Sequence, residues 1–120
     1  MMQLKLKWLT ITLCTGALVV SLDSCSSDDA SSTITCDGTA VSFATDVSPI
    51  IKTSCATNSS CHGSGSSHGP GELLTYSNVY NARSEIKSSV ANGSMPEGSK
   101  LSSNEKSSII CWIENGASDN

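Results

Sequence analysis

Cys55-Ala56-Thr57-Asn58-Ser59-Ser60-Cys61-His62 places two thiols and an imidazole within one short polar run. The chain around it is poor in core-building residues. Its aromatic side chains are Trp8, Phe43, Tyr76, Tyr80 and Trp112, serine is abundant, and large apolar residues are thin between Cys36 and Asn120. So small a core is marginal and calls for a covalent or cofactor staple. What the two thiols and the imidazole hold therefore decides which fold is stable. Met95-Pro96 stands 33 residues beyond His62 and contains the only methionine outside the N-terminal segment.

To the N-terminal side, residues 1–24 read as a lipoprotein signal peptide. Lys5 and Lys7 form the charged start, and Trp8 to Leu22 the apolar run. That run is about 15 residues, shorter than the roughly 20 needed to span a membrane. Leu22-Asp23-Ser24-Cys25 resembles a bacterial lipobox, which makes Cys25 the lipidated first residue of the mature protein. The alternative is an ordinary cleaved signal with Cys25 in a disulfide. Cys14 lies inside the apolar run and leaves with it.

Residues 25–35 form a polar, flexible tether that cannot bury enough surface to fold. Its Ser26-Ser27-Asp28-Asp29 start resembles the acidic signal that sends some Bacteroidetes-type lipoproteins to the outer face of the outer membrane, and it also reads as a plain solvated linker. The expected location is the bacterial cell envelope, as an outer-membrane lipoprotein facing the periplasm or the surface. The membrane would be reached through the lipid alone. Six cysteines in so short a chain agree with an oxidising compartment. The formal net charge of −4 makes nucleic acid an unexpected partner.

The remaining residues, 36–120, read as one all-α domain of about three helices. Phe43, Val47, Ile50 and Ile51 fall on one helical face, with Asp46 or Ser48 able to cap and Pro49 suited to a first turn. The run from Gly63 to Gly71 is a Gly/Ser-rich loop containing His68 and Pro70. Ser77 can cap a second helix with Val79, Tyr80, the Arg83 stem, Ile86 and Val90 inward, ending at Asn92-Gly93. Ser102-Ser103-Asn104-Glu105 has the spacing of a capping box. The helix it opens presents Ile109, Ile110, Trp112 and Ile113 and stops at Gly116. No internal repeat and no strand pattern is present.

Two cysteines with a histidine directly after the second are how c-type haem is attached: each thiol adds to a vinyl group and the imidazole takes the iron. The usual gap is two residues, and here five separate Cys55 from Cys61. Thr57-Asn58-Ser59-Ser60 are polar turn formers able to loop out. Lengthening the gap costs about 0.5–1 kcal/mol of closure entropy. A single thioether through Cys61 is the narrower form of this reading. Two others compete: a Cys55–Cys61 disulfide leaving His62 as an exposed loop residue, and zinc held by Cys55, Cys61, His62 and His68. A thioether from Met95 could take the axial position opposite His62. Its plainer role is core packing, and His68 is the rival ligand.

The order of parts resembles the short class I cytochrome c domains of Bacteroidetes and Planctomycetes lipoproteins. The matching residues are Phe43-Ala44-Thr45-Asp46-Val47-Ser48-Pro49-Ile50-Ile51, Cys55, Cys61-His62, Met95-Pro96, Leu101-Ser102 and Trp112-Ile113-Glu114-Asn115-Gly116-Ala117, and the resemblance covers roughly residues 36–118. It implies helices packed around one covalent haem c. Cys55 and Cys61 would be the thioether donors, with His62 and Met95 the axial ligands of the iron.

Cys36 and Cys111 remain, and a disulfide between them would tie the start of the domain to its last helix. A free buried thiol is the alternative for Cys111, which stands between Ile110 and Trp112. The sequence offers no paired carboxylates, nucleophile–base pair or phosphate loop, so no enzymatic activity is expected. The expected function is outer-sphere electron transfer with redox partner proteins of the envelope. The alternative is a cofactor-free, disulfide-stapled surface lipoprotein acting as a binding or structural module.

Overall fold

The computed structural model of the chain describes residues 33–38 and 40–120. The expected signal peptide, Cys25 and most of the tether lie outside the described residues. Among those described, the structure is all-α with no strand.

Helix α1 covers residues 43–55 and is built from a wide π-type turn (Phe43–Val47), a short α segment (Ser48–Ile50) and a second wide turn (Ile51–Cys55). Its cap is Ser42, neither Asp46 nor Ser48. The Ser42 hydroxyl accepts from Thr45 N–H at 3.3 Å, and the Asp46 carboxylate accepts from Ser42 N–H at 2.8 Å. Pro49 sits in the first turn of the short α segment, as expected, but the wide turn from Phe43 precedes it and makes it interior to α1 as a whole. A proline there lacks an N–H and crowds the carbonyl four residues back. Wide turns on either side, with Ser48 N–H on Phe43 O and Ala56 N–H on Ile51 O, accommodate it.

The wide turns also set which residues point inward. In a strict α-helix, positions four apart drift by about 40° per step. Slower winding reduces that drift, so Phe43, Val47, Ile51 and Cys55, each four after the last, are all buried. Ile50, expected on this face, is only partly buried. The stripe ends on a thiol.

Helices α2 (Tyr76–Asn81) and α3 (Arg83–Ala91) replace the single second helix that the sequence suggests. Thr75, not Ser77, caps α2 by accepting from Asn78 N–H at 3.2 Å. The break falls at Ala82, where the Arg83 guanidinium donates to Tyr80 O at 2.7 Å and lies 4.0 Å over the Tyr80 ring. Helix α3 ends at Asn92, with Gly93 at φ +75° turning the chain away. Helix α4 (Ser103–Glu114) opens on the capping box: Ser102 Oγ accepts from Glu105 N–H at 3.3 Å, and the Glu105 carboxylate from Ser102 N–H at 2.8 Å. The Ser102 hydroxyl, donating to the same carboxylate at 2.7 Å, and then the Ser102 N–H hold the Glu105 carboxyl below its ordinary pKa.

Helix α4 packs on α3 and on the start of α1. At that junction Trp112 is fully buried, its ring centroid 5.3 Å from Phe43 and 6.3 Å from Tyr76. The C-terminal tail closes the same corner. Trp112 Nε1 donates to Ser118 O at 2.8 Å, Tyr76 Oη to Ala117 O at 2.9 Å, and Phe43 N to Asn120 Oδ1 at 2.9 Å. Cys36 and Cys111 are joined in a disulfide across 75 residues of sequence. Val47, Ile51, Val79, Val90 and Ile109 complete the fully buried centre. Among the described residues, no helix is long and apolar enough to cross a membrane.

Candidate functional site

Because α1 ends on its buried face, Cys55 is delivered inside the domain rather than onto the surface. The chain then turns through residues 56–60 and comes back on itself. His62 N–H donates to Cys55 O at 3.0 Å, which brings Cys61 and His62 against the end of α1. Cys55 is buried, Cys61 half-buried, and both are free thiols. Burial pushes the Cys55 thiol up to about 11, and the neighbouring Cys61 adds to that. Cys55 is therefore neutral at physiological pH.

His62 is held from two directions. Its carbonyl accepts from Leu73 N–H at 2.9 Å, and its ring Nδ1 lies 3.0 Å from Gly71 O. A carbonyl only accepts, so Nδ1 carries the hydrogen and, in the neutral ring, Nε2 is left with a free lone pair. Gly71 reaches this position at φ +83°, a conformation that favours glycine. The Gly/Ser-rich loop is thus a bracket for the imidazole. It is tied further by Ser66 Oγ donating to Cys61 O and by Gly65 N–H donating to the Glu72 carboxylate at 2.5 Å.

Cys55, Cys61 and His62 open onto a cavity of about 700 Å³, within the range of about 300–1,000 Å³ usual for small-molecule and cofactor sites. Ile51 of α1, Leu73, and Ile86 and Val90 of α3 form its buried apolar wall. Met95, from the loop after α3, faces the same cavity and is 37% exposed. That loop is anchored by Met95 N–H on Ser89 O at 3.2 Å. His68 also borders the cavity, from the bracket itself, and the next residue, Gly69, flanks the His62 ring. Glu85 and Glu97 also line the cavity.

The structure thus gathers four side chains read from the sequence, Cys55, Cys61, His62 and Met95, around one cavity. Among the described residues no three His, Cys, Asp or Glu side chains form a group that could hold a metal ion. Sequence reasoning missed the Gly71 carbonyl and the apolar wall from α3. The positive-φ glycines beside Pro70 are a faint signal for the first. Ile86 and Val90 are indistinguishable in sequence from ordinary core. Comparison with protein-family models, curated proteins and solved structures gives no match.

Proposed function

We propose that this protein is a monohaem c-type cytochrome, an electron carrier anchored to the bacterial envelope by a lipid on Cys25. The observation that carries the reading is the convergence of two free thiols, an oriented imidazole and a thioether on one apolar-walled cavity. Among the described residues the disulfide lies elsewhere, between Cys36 and Cys111. The donor set fits covalent haem: thiols at Cys55 and Cys61 for the vinyl groups, Nε2 of His62 and the sulfur of Met95 for the iron. Met95 suits the position opposite His62 better than His68 does, because it arrives on a separate segment whereas His68 belongs to the bracket around His62.

Bound haem would supply a single electron, moved as its iron passes between ferrous and ferric. The Gly71 carbonyl holds the His62 ring in one tautomer and orientation, and a hydrogen bond to Nδ1 makes Nε2 a stronger donor. Ile51, Leu73, Ile86 and Val90 keep water from the buried side of the cavity. Glu85 and Glu97 give the cavity edge negative charge, which favours basic partner surfaces and speeds their encounter at low salt. No proton or bond needs to move through these side chains, so exchange with envelope partners is outer-sphere.

The test is the mass and visible spectrum of the full chain produced in a host with c-type haem maturation and weighed after denaturation. Haem that survives denaturation and adds its mass supports the reading. A colourless protein, lighter only by the hydrogens lost to disulfides, overturns it and leaves a stapled binding or structural lipoprotein.

A further inference from the structure

The cytochrome reading meets its main difficulty in the five residues between Cys55 and Cys61, and there the structure is specific. In an α-helical turn the N–H of residue i+4 bonds the carbonyl of residue i. A Cys-x-x-Cys-His run wound as a helix would therefore set its histidine N–H on the carbonyl of its first cysteine. His62 follows Cys55 by seven residues, yet its N–H donates to Cys55 O at 3.0 Å. The backbone bond of the shorter motif is kept and the surplus residues are turned outward.

Asn58 organises that turn. Its Oδ1 accepts from Ser60 N–H at 2.8 Å and from Cys61 N–H at 3.2 Å. Its carbonyl accepts from Cys61 N–H at 3.1 Å and from Gly63 N–H at 2.8 Å. Gly63 permits the close approach, since a Cβ there would lie 2.8–2.9 Å from the Asn58 backbone. Ala56 is half-buried and residues 57–60 are exposed; of these five, Ser60 alone borders the cavity, beside Cys55, Cys61 and His62.

We propose, resting on the cytochrome reading, that Asn58 is a positioning residue whose turn restores the register of the two-residue motif, so that Cys55 and Cys61 both become thioethers to one haem. Each thiol adds to one vinyl group: the S–H bond and the vinyl π bond break, and a C–S and a C–H bond form. Nothing leaves and no electrons are gained or lost. The attached mass is that of one intact haem, and neither Cys55 nor Cys61 can then be alkylated.

The experiment compares the full-length wild type, Asn58→Ala, Asn58→Asp and a deletion of residues 57–59, all produced with c-type maturation. Each is denatured, alkylated with iodoacetamide, digested and weighed peptide by peptide. Wild type is expected to carry haem with both cysteines blocked. Asn58→Ala loses both side-chain acceptor contacts, so its closed-loop population should fall about tenfold and its singly attached fraction should rise correspondingly. Asn58→Asp keeps the acceptor and should restore the wild-type pattern. The deletion leaves Cys55-Ala56-Ser60-Cys61-His62 and should be doubly attached without Asn58.

Wild type carrying haem but an alkylatable Cys55 or Cys61 would overturn the inference and leave the cytochrome reading intact. So would an Asn58→Ala protein attached as fully as wild type. Haem on the deletion but not on wild type would mean that the turn does not restore the register. Absence of haem from both would overturn the cytochrome reading itself.

Discussion

Replacing Cys36 with alanine removes the cross-link between the start of the domain and α4 while keeping the buried side chain of Cys111. The bridge closes 75 residues, and the chain-entropy model gives about 4–5 kcal/mol for a loop of that length at 25 °C. A domain of under 100 residues has about 5–10 kcal/mol in total, so the bridge supplies a large share. The Cys36 side is otherwise weakly attached, since Ile34 and Cys36 are only partly buried against the core. The assay is urea unfolding followed by Trp112 fluorescence, with the double alanine variant at Cys36 and Cys111 as control. At a slope of about 1–1.5 kcal/mol per molar, the midpoint should fall by about 3–5 M, or the variant should be unfolded without urea. A loss below about 1 kcal/mol would refute the reasoning, because the unfolded chain would then not be held by this link.

Met95→Ala should keep haem covalently attached but change the visible spectrum and admit carbon monoxide to the ferrous iron; an unchanged spectrum, with the change appearing in His68→Ala instead, would transfer the ligand role. Gly63→Ala places a methyl group against the Asn58 backbone and should cost about 1–3 kcal/mol in urea unfolding; a neutral outcome would show that the loop can open without loss. In haem-free protein, Cys55 should resist iodoacetamide through pH 9 and react as pH approaches 11. Its raised pKa favours the folded state while the thiol is neutral, so that stability is fully present below about 9 and is lost between 9 and 11. Cys55→Ala should flatten this part of the pH–stability curve, and an equally steep fall in the variant would place the effect elsewhere.

Two local signals read the same way in the sequence and in the structure. The box at Ser102 and Glu105 opens α4 because both halves lie within one turn. Asn92-Gly93 ends α3 because Gly93 reaches φ +75° without strain. Pro49 by itself suggests a first turn, and nothing local reveals that a wide turn from Phe43 already precedes it. Ser77 is a good cap by residue type, and so is Thr75; the hydrogen bond from Asn78 N–H assigns the role to Thr75. The break at Ala82 depends on the Arg83 guanidinium folding back onto Tyr80.

The sequence by itself determined the all-α class, the spacing of apolar residues, and the chemical types available for a site: two thiols, an imidazole and one distant thioether. Tertiary structure alone decided that these meet. Slow winding of α1 keeps Cys55 on the buried line that begins at Phe43. The Asn58 turn brings His62 N–H onto the Cys55 carbonyl, and Gly71 fixes the imidazole from nine residues away. Met95 joins them only because α3 packs its Ile86 and Val90 against the same space. Residue type and helical period are properties of short windows, whereas a cavity is enclosed by side chains that only packing places together.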